Sequence, residues 1–270
     1  MSLRIQNNVE AFNAQRQLIG NSDKLSKAME KLSSGYRINR AGDDAAGLAI
    51  SEKLRGQIGG LGQASRNASD AISMVQTAEG ALNEVHSMLQ RVRELAVQFK
   101  NGSLSTADRT AIQSEVYQLA SEIERIGASA EFNGIDLLNS ASTTISFQVG
   151  ASDAQQITVA TISVGAQVAS TVYALSSVAS QTDIQQIDDA INNISAARAT
   201  FGAVQNRLEH TIANIASYQE NLTASESRIR DADMASEMVQ FTKLQILQQA
   251  GTSMLAQANQ APQSVLSLLR

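Results

Sequence analysis

The chain reads as a mainly α protein, a long antiparallel coiled coil or helical bundle with a small β-hairpin inserted at mid-chain. Three observations predict this class. Apolar residues recur at alternating four- and three-residue spacings over long stretches, the period of a helix seam. A single proline, Pro262, occurs in 270 residues, and proline breaks helix interiors. Aromatic residues make up 4% and tryptophan is absent, so the core must come from aliphatic rows rather than bulky rings.

The first forty residues begin an apolar stripe at Ile5, Val9 and Phe12, continued at seven-residue spacing by Leu18, Leu25 and Leu32. The next seam is the longest: Ala71, Val75, Ala78, Leu82, Val85, Leu89, Val92, Ala96 and Phe99 alternate four and three over four heptads. Such a stretch is about 42 Å long at ~1.5 Å per residue. Asn101-Gly102-Ser103 is expected to end it, with Gly102 in the left-handed cap conformation. Ser105 or Thr106 can cap the helix that follows. That helix carries Ile112, Val116, Leu119, Ile123, Ile126 and Ala130, and the short link predicts an antiparallel pair. Asn133-Gly134 marks a turn.

Around residue 140 the period changes to two. Thr143–Val149 alternates apolar Ile145, Phe147 and Val149 with polar neighbours, and Gln156–Thr161 does the same. Two such runs around Gly150–Gln155 predict a β-hairpin. Residues 162–182, rich in Ser, Ala, Val and Thr, show no clear period. Heptads return with Ile187, Ile194, Phe201, Leu208, Ile215, Leu222 and Ile229. The companion row (Ile184, Ile191, Arg198, Gln205, Ile212, Gln219, Glu226) is half polar, a pattern that fixes register at some cost in stability. A final helix is expected from about Asp233 to Leu269, with a kink or break near Pro262. Its apolar positions include Met238, Phe241, Leu244, Leu247, Leu255, Leu266 and Leu269.

Composition excludes several functions. With no cysteine, a disulfide framework, a thiolate metal site and a cysteine nucleophile are ruled out. The net charge of −5 argues against a nucleic-acid coat. Residues 1–40 hold seven basic and three acidic side chains, residues 231–270 two and three. The opening MSLRIQNNVEAFNAQ lacks a basic stretch followed by a continuous apolar one, so no secretory signal peptide is expected. Leu244–Leu269 carries no charge and is long enough to span a bilayer, but six glutamines, Asn259 and Pro262 would be costly in lipid. An amphipathic helix awaiting partner helices is the better reading.

No constellation suggests catalysis. Asp43 and Asp44 in GDDAAG could meet a divalent cation, but the spacing fits no EF-hand, and acids at a helix N-terminus explain them better. Gly56, Gly59, Gly60 and Gly62 lack the preceding strand and the Lys-Ser ending of a phosphate loop, and point to close helix packing or a helix irregularity. His86 and His210 each stand alone on polar faces. Arg91, Arg93 and Glu94 sit outside the seam, as a solvated face or a partner surface. No catalytic residue, metal site or cofactor is expected. The outermost helices expose so much apolar surface that they are expected to be poorly ordered alone and to fold on assembly. The competing reading is a monomeric bundle whose stripes are ordinary core.

Several long motifs narrow the choice. Met29–Ser51 (MEKLSSGYRINRAGDDAAGLAIS) resembles the N-terminal signature of bacterial flagellin. QTAEGAL at 76–82, LQRVRELAVQ at 89–98, FNGIDLL at 132–138, SRIRDADMASEM at 227–238 and the ending QANQAPQSVLSLLR are similar to the same family. The resemblance covers about 1–140 and 180–270, in order.

The resemblance implies a structural subunit that polymerises into the helical flagellar filament. It implies core helices at 1–40 and 231–270, and a rod domain made of 41–180 (helices and hairpin) and 181–230. No large outer domain fits between 141 and 180. It further implies type III export, a filament location outside the cell, a flagellin export chaperone on 231–270, and contact with filament cap and hook-junction proteins. A motif for Toll-like receptor 5 matches at Arg91, Leu95 and Glu115, with Arg91 and Glu115 as charged contacts and Leu95 as an apolar anchor on the same helix face as Arg91. The alternatives are a hook-filament junction protein, which shares terminal heptads, and a soluble coiled-coil interaction module.

Overall fold

A computed structural model describes residues 8–139, 143–165 and 183–268. Among these residues five helices dominate: α1 (Val9–Ser34), α2 (Ala45–Phe99), α3 (Thr106–Ser129), α4 (Asp183–Arg230) and α5 (Met234–Leu268). Between α3 and α4 lie two small antiparallel hairpins, β1 (Glu131–Phe132) with β2 (Ile135–Asp136), and β3 (Thr144–Gln148) with β4 (Gln156–Ala160). The chain divides into two compact units, Met1–Gly56 with Asn221–Arg270, and Gln57–Glu220.

The Gln57–Glu220 unit is built on the seam read from the sequence. Val75, Leu82, Val85, Leu89 and Val92 on α2 are completely buried, and pack with Ile112, Val116 and Ile123 of α3 and Ile187 and Ile194 of α4 in one core. Leu119, Ile126 and Ala130 are only partly buried; Ala120 and Gly127 are buried on α3 instead. The α4 seam holds from Ile187 to Ile215, whereas Leu222 and Ile229 are only half-buried. Phe201, Leu208 and Ile215 are buried, while the mixed companion row is half-buried along its whole length.

Local signals account for most boundaries. Ser105 caps α3 in a capping box: its Oγ accepts from the Asp108 amide, and the Asp108 carboxylate accepts from the Ser105 amide at 3.0 Å. Hydrogen bonds from the Ser105 hydroxyl and then its amide hold that carboxyl below its ordinary range. Asn133 and Gly134 both have positive φ, 52° and 76°, which turns the β1–β2 hairpin tightly in the sense that strand twist favours. The expected β-hairpin is present as β3–β4, with Ile145 opposite Val159 and Phe147 opposite Ile157. Val149 and Ile157 bury against Ala68, Ala71 and Leu208, and the Asn67 amide donates to the Gln148 carbonyl at 3.0 Å. The loop comes so near α2 that a Cβ on Gly60 would lie 3.2 Å from that of Ala151.

Three expectations need correction. Gly102 is not a left-handed cap: the positive-φ glycines among the described residues are Gly35, which ends α1, and Gly134. Asn101 closes α2 instead. Its amide donates to Gln98 O at 3.0 Å, and its Oδ1 accepts from the Ser103 amide, an Asx turn that needs no left-handed residue. Of the kink or break expected near Pro262, the break is missing, because α5 is helical through to Leu268. His86 is half-buried rather than on an open face, although His210 is exposed.

Candidate assembly surface

The first and last described helices, α1 and α5, pair antiparallel. A short ladder sets where they start. Tyr36 bridges Asp231, the Arg37 amide donates to Arg230 O at 2.7 Å, and the Ala232 amide donates to Gly35 O at 2.9 Å. The Arg37 guanidinium adds a bond to Ile229 O at 2.6 Å. Arg230 lies over the Tyr36 ring at 4.8 Å and bonds Glu52 at 2.6 Å. That bond, more than any other cause, holds the Glu52 carboxyl below its ordinary range.

The GDDAAG motif belongs to this junction. Asp44 Oδ1 accepts from the Gly47 amide at 2.9 Å, capping α2. Asp43 Oδ2 accepts from the amides of Arg40 (3.0 Å) and Asn39. Those two bonds, in that order, draw the Asp43 carboxyl below its ordinary value, with smaller help from Lys27 and Lys31. Both acids are committed to backbone, and among the described residues no group of three His, Asp or Glu could hold a metal.

Further along the pair, Lys31 reaches Glu237 at 3.8 Å. Leu18 then lies so close to Gly251 that a Cβ there would sit 2.9 Å from its Cδ1. At the far end, Asn8 donates to Ala258 O at 2.7 Å. Leu18, Leu25 and Leu32 are half-buried on this inner face, with Ala28 buried. Opposite them, Leu244 is buried while Phe241 and Leu255 are half-buried.

The expected single stripe on α1 is corrected to two faces. Val9 and Phe12 are 55% and 60% exposed, on the far side from Leu18. Phe12 is six positions from Leu18 and Val9 nine, which turns their side chains about 120° and about 180° away from the leucine. The inner row continues instead through the small residues Ala14 and Ala11. Its four-three spacing was present in the sequence, hidden by alanines. On α5, Met238 and Leu247 are likewise outward, joined by Val239, Ile246 and Met254 at 71%, 61% and 65% exposure. Leu266 lies within α5; Ile5 and Leu269 lie outside the described residues. Both helices therefore carry an inner apolar face, used within the chain, and an outer one left exposed among the described residues. No helix among the described residues is long and apolar enough to cross a membrane.

The receptor motif is only partly at the surface. Arg91 is half exposed, its Nε donating to Glu115 at 3.0 Å and its Nη1 to Glu94 at 3.1 Å. The Glu115 bond is the main cause of the raised guanidinium pKa. Leu95 is 2% exposed, so it is a core residue here rather than an anchor offered to a partner.

Sequence comparisons agree with this architecture. The profile for the bacterial flagellin N-terminal helical region matches residues 5–143, and that for the C-terminal helical region matches residues 184–269. A flagellin of Halalkalibacterium halodurans is 53% identical, covering 98% of this chain and 99% of its own. One of Bacillus subtilis is 50% identical, covering 99% and 100%. Among solved structures, the crystal structure of Bacillus cereus flagellin is similar with a TM-score of 0.50 and 33% identity, over 60% of this chain and 94% of that one. The chain therefore belongs to the bacterial flagellin family, the structural subunits of the flagellar filament.

Proposed function

We propose that copies of this chain join by burying the outer apolar faces of α1 and α5 against one another, so that 1–40 and 231–270 form the filament core. Residues 41–180 and 181–230 form the surrounding rod. The observation that carries this reading is the outward row Met238, Val239, Ile246 and Met254, apolar and uncovered on a helix already paired along its other side. Exposed apolar area of this kind favours association at roughly 25 cal/mol per Å² buried, and contacts that are not self-complementary extend into a helical polymer rather than closing.

The same outer face suits a chaperone on 231–270 before assembly, and type III export then delivers the subunit outside the cell, where it meets the cap and hook-junction proteins. Recognition by Toll-like receptor 5, if the filament sheds subunits, rests on Arg91 and Glu115, with Leu95 acting only through the core beneath them.

Ile246→Asp tests the assembly reading. The variant is expected to stay unpolymerised by sedimentation and electron microscopy at concentrations where the parent forms long filaments, with an unchanged urea midpoint for the monomer. Filaments of normal length from Ile246→Asp would overturn it.

A further inference from the structure

Pro262 lies inside α5, which continues to Leu268. Proline has no amide hydrogen, so the carbonyl four residues earlier in a helix loses its backbone donor. That carbonyl belongs to Ala258. It is the acceptor that Asn8 Nδ2 reaches at 2.7 Å. The other end of the same side chain, Oδ1, accepts from the Ala11 amide at 3.0 Å and caps α1. One amide group thus closes the first turn of α1 and serves the acceptor that α5 leaves without its helical donor.

We propose that Asn8 is the registration residue of the terminal helix pair, supplying the hydrogen bond that Pro262 lacks and thereby fixing α1 lengthwise on α5. In an uninterrupted helix each interior carbonyl is taken by the amide four residues on, so the side-chain amide has one well-matched target on this face. Sliding α1 by a residue would strand both Asn8 Nδ2 and Ala258 O. The residue type follows from the double duty. Ser, Thr and Asp cap helices as well as Asn, but none of them carries an amide donor beside the capping oxygen.

The test is a two-by-two set in the full-length chain: parent, Asn8→Ser, Pro262→Ala and the double variant. Asn8→Ser keeps the cap and drops the amide donor; Pro262→Ala restores the missing backbone donor. Amide hydrogen exchange is read by mass spectrometry on peptides covering 259–268, in monomer and in polymer. Asn8→Ser is expected to speed exchange about fivefold in the parent, the loss of one net hydrogen bond, and to have little effect once Pro262 is alanine. Equal acceleration in both backgrounds, no acceleration in either, or a segment unprotected in every state would each overturn the proposal. Since exchange is read in monomer as well, a failure to polymerise would count against the assembly reading and leave this result separate.

Discussion

Arg91 and Leu95 stand one helical turn apart on α2, yet the edge of the core passes between them. Arg91 is half exposed and bonded to Glu115 on α3, whereas Leu95 is 2% exposed inside the seam. Substitutions at the two positions should therefore report different things. Leu95→Ala is expected to destabilise the folded chain by about 2–5 kcal/mol, seen as a lower urea midpoint. Arg91→Ala should leave the midpoint nearly unchanged. If a receptor reads this surface, a cell reporter assay should lose signal with Arg91→Ala at normal stability. A midpoint for Leu95→Ala equal to the parent would contradict its place in the core.

Acid should weaken the fold. Asp43, Glu52, Asp108 and Glu122 all have carboxyls held below their ordinary values, by backbone donors at Asp43 and by side-chain partners at the others. A depressed folded value means the unfolded chain binds protons more readily, so this stabilisation is complete at neutral pH and is lost as pH falls below about 4. Urea midpoints measured from pH 7 to pH 2.5 should decline over that range. Asp108→Asn should lower the midpoint at pH 7 and converge with the parent at the acid end.

Two glycines one residue apart on α2 should respond in opposite ways. Nothing lies within 4 Å of a Cβ added at Gly59, whereas Gly60 faces Ala151. Gly59→Ala is expected to stabilise the monomer by about 0.5–1 kcal/mol through helix propensity. Gly60→Leu should push the β3–β4 loop away and lower the thermal midpoint, with faster amide exchange at 148–156.

Gly251 tests the terminal pair. Its contact with Leu18 leaves room for a small shift of the leucine end but not for a branched side chain. Gly251→Val is expected to raise amide exchange in α1 around Leu18, while Gly251→Ala has a lesser effect. Equal exchange in parent and Gly251→Val would argue against this packing.

Much of the architecture was legible because heptad seams and the β alternation are properties of spacing, and burial of Val75 through Phe99 followed the spacing residue by residue. Caps were legible where the chemistry is local, as at Ser105 and Asp44. The outer and inner faces of α1 were not, because alanines at 11 and 14 carry the inner row and large residues at Val9 and Phe12 do not. Cross-helix partners such as Arg93 with Asp188, joined at 2.5 Å, were equally out of reach: residues 95 positions apart leave no local trace of their pairing. The continuation of α5 past Pro262 is out of reach for the same reason, since Asn8, which donates to Ala258 O, lies 250 residues upstream of its acceptor.

The ladder at Gly35 and Ala232, the Lys31–Glu237 pair, Leu18 against Gly251 and Asn8 at Ala258 mark successive rungs counted outward from one origin. Adding or deleting a single residue between rungs would rotate everything beyond it by about 100° and change the length of one rail but not the other. Side chains along these two segments are therefore expected to be exchangeable, whereas an insertion in one keeps the outer rungs only with a matching insertion in the other.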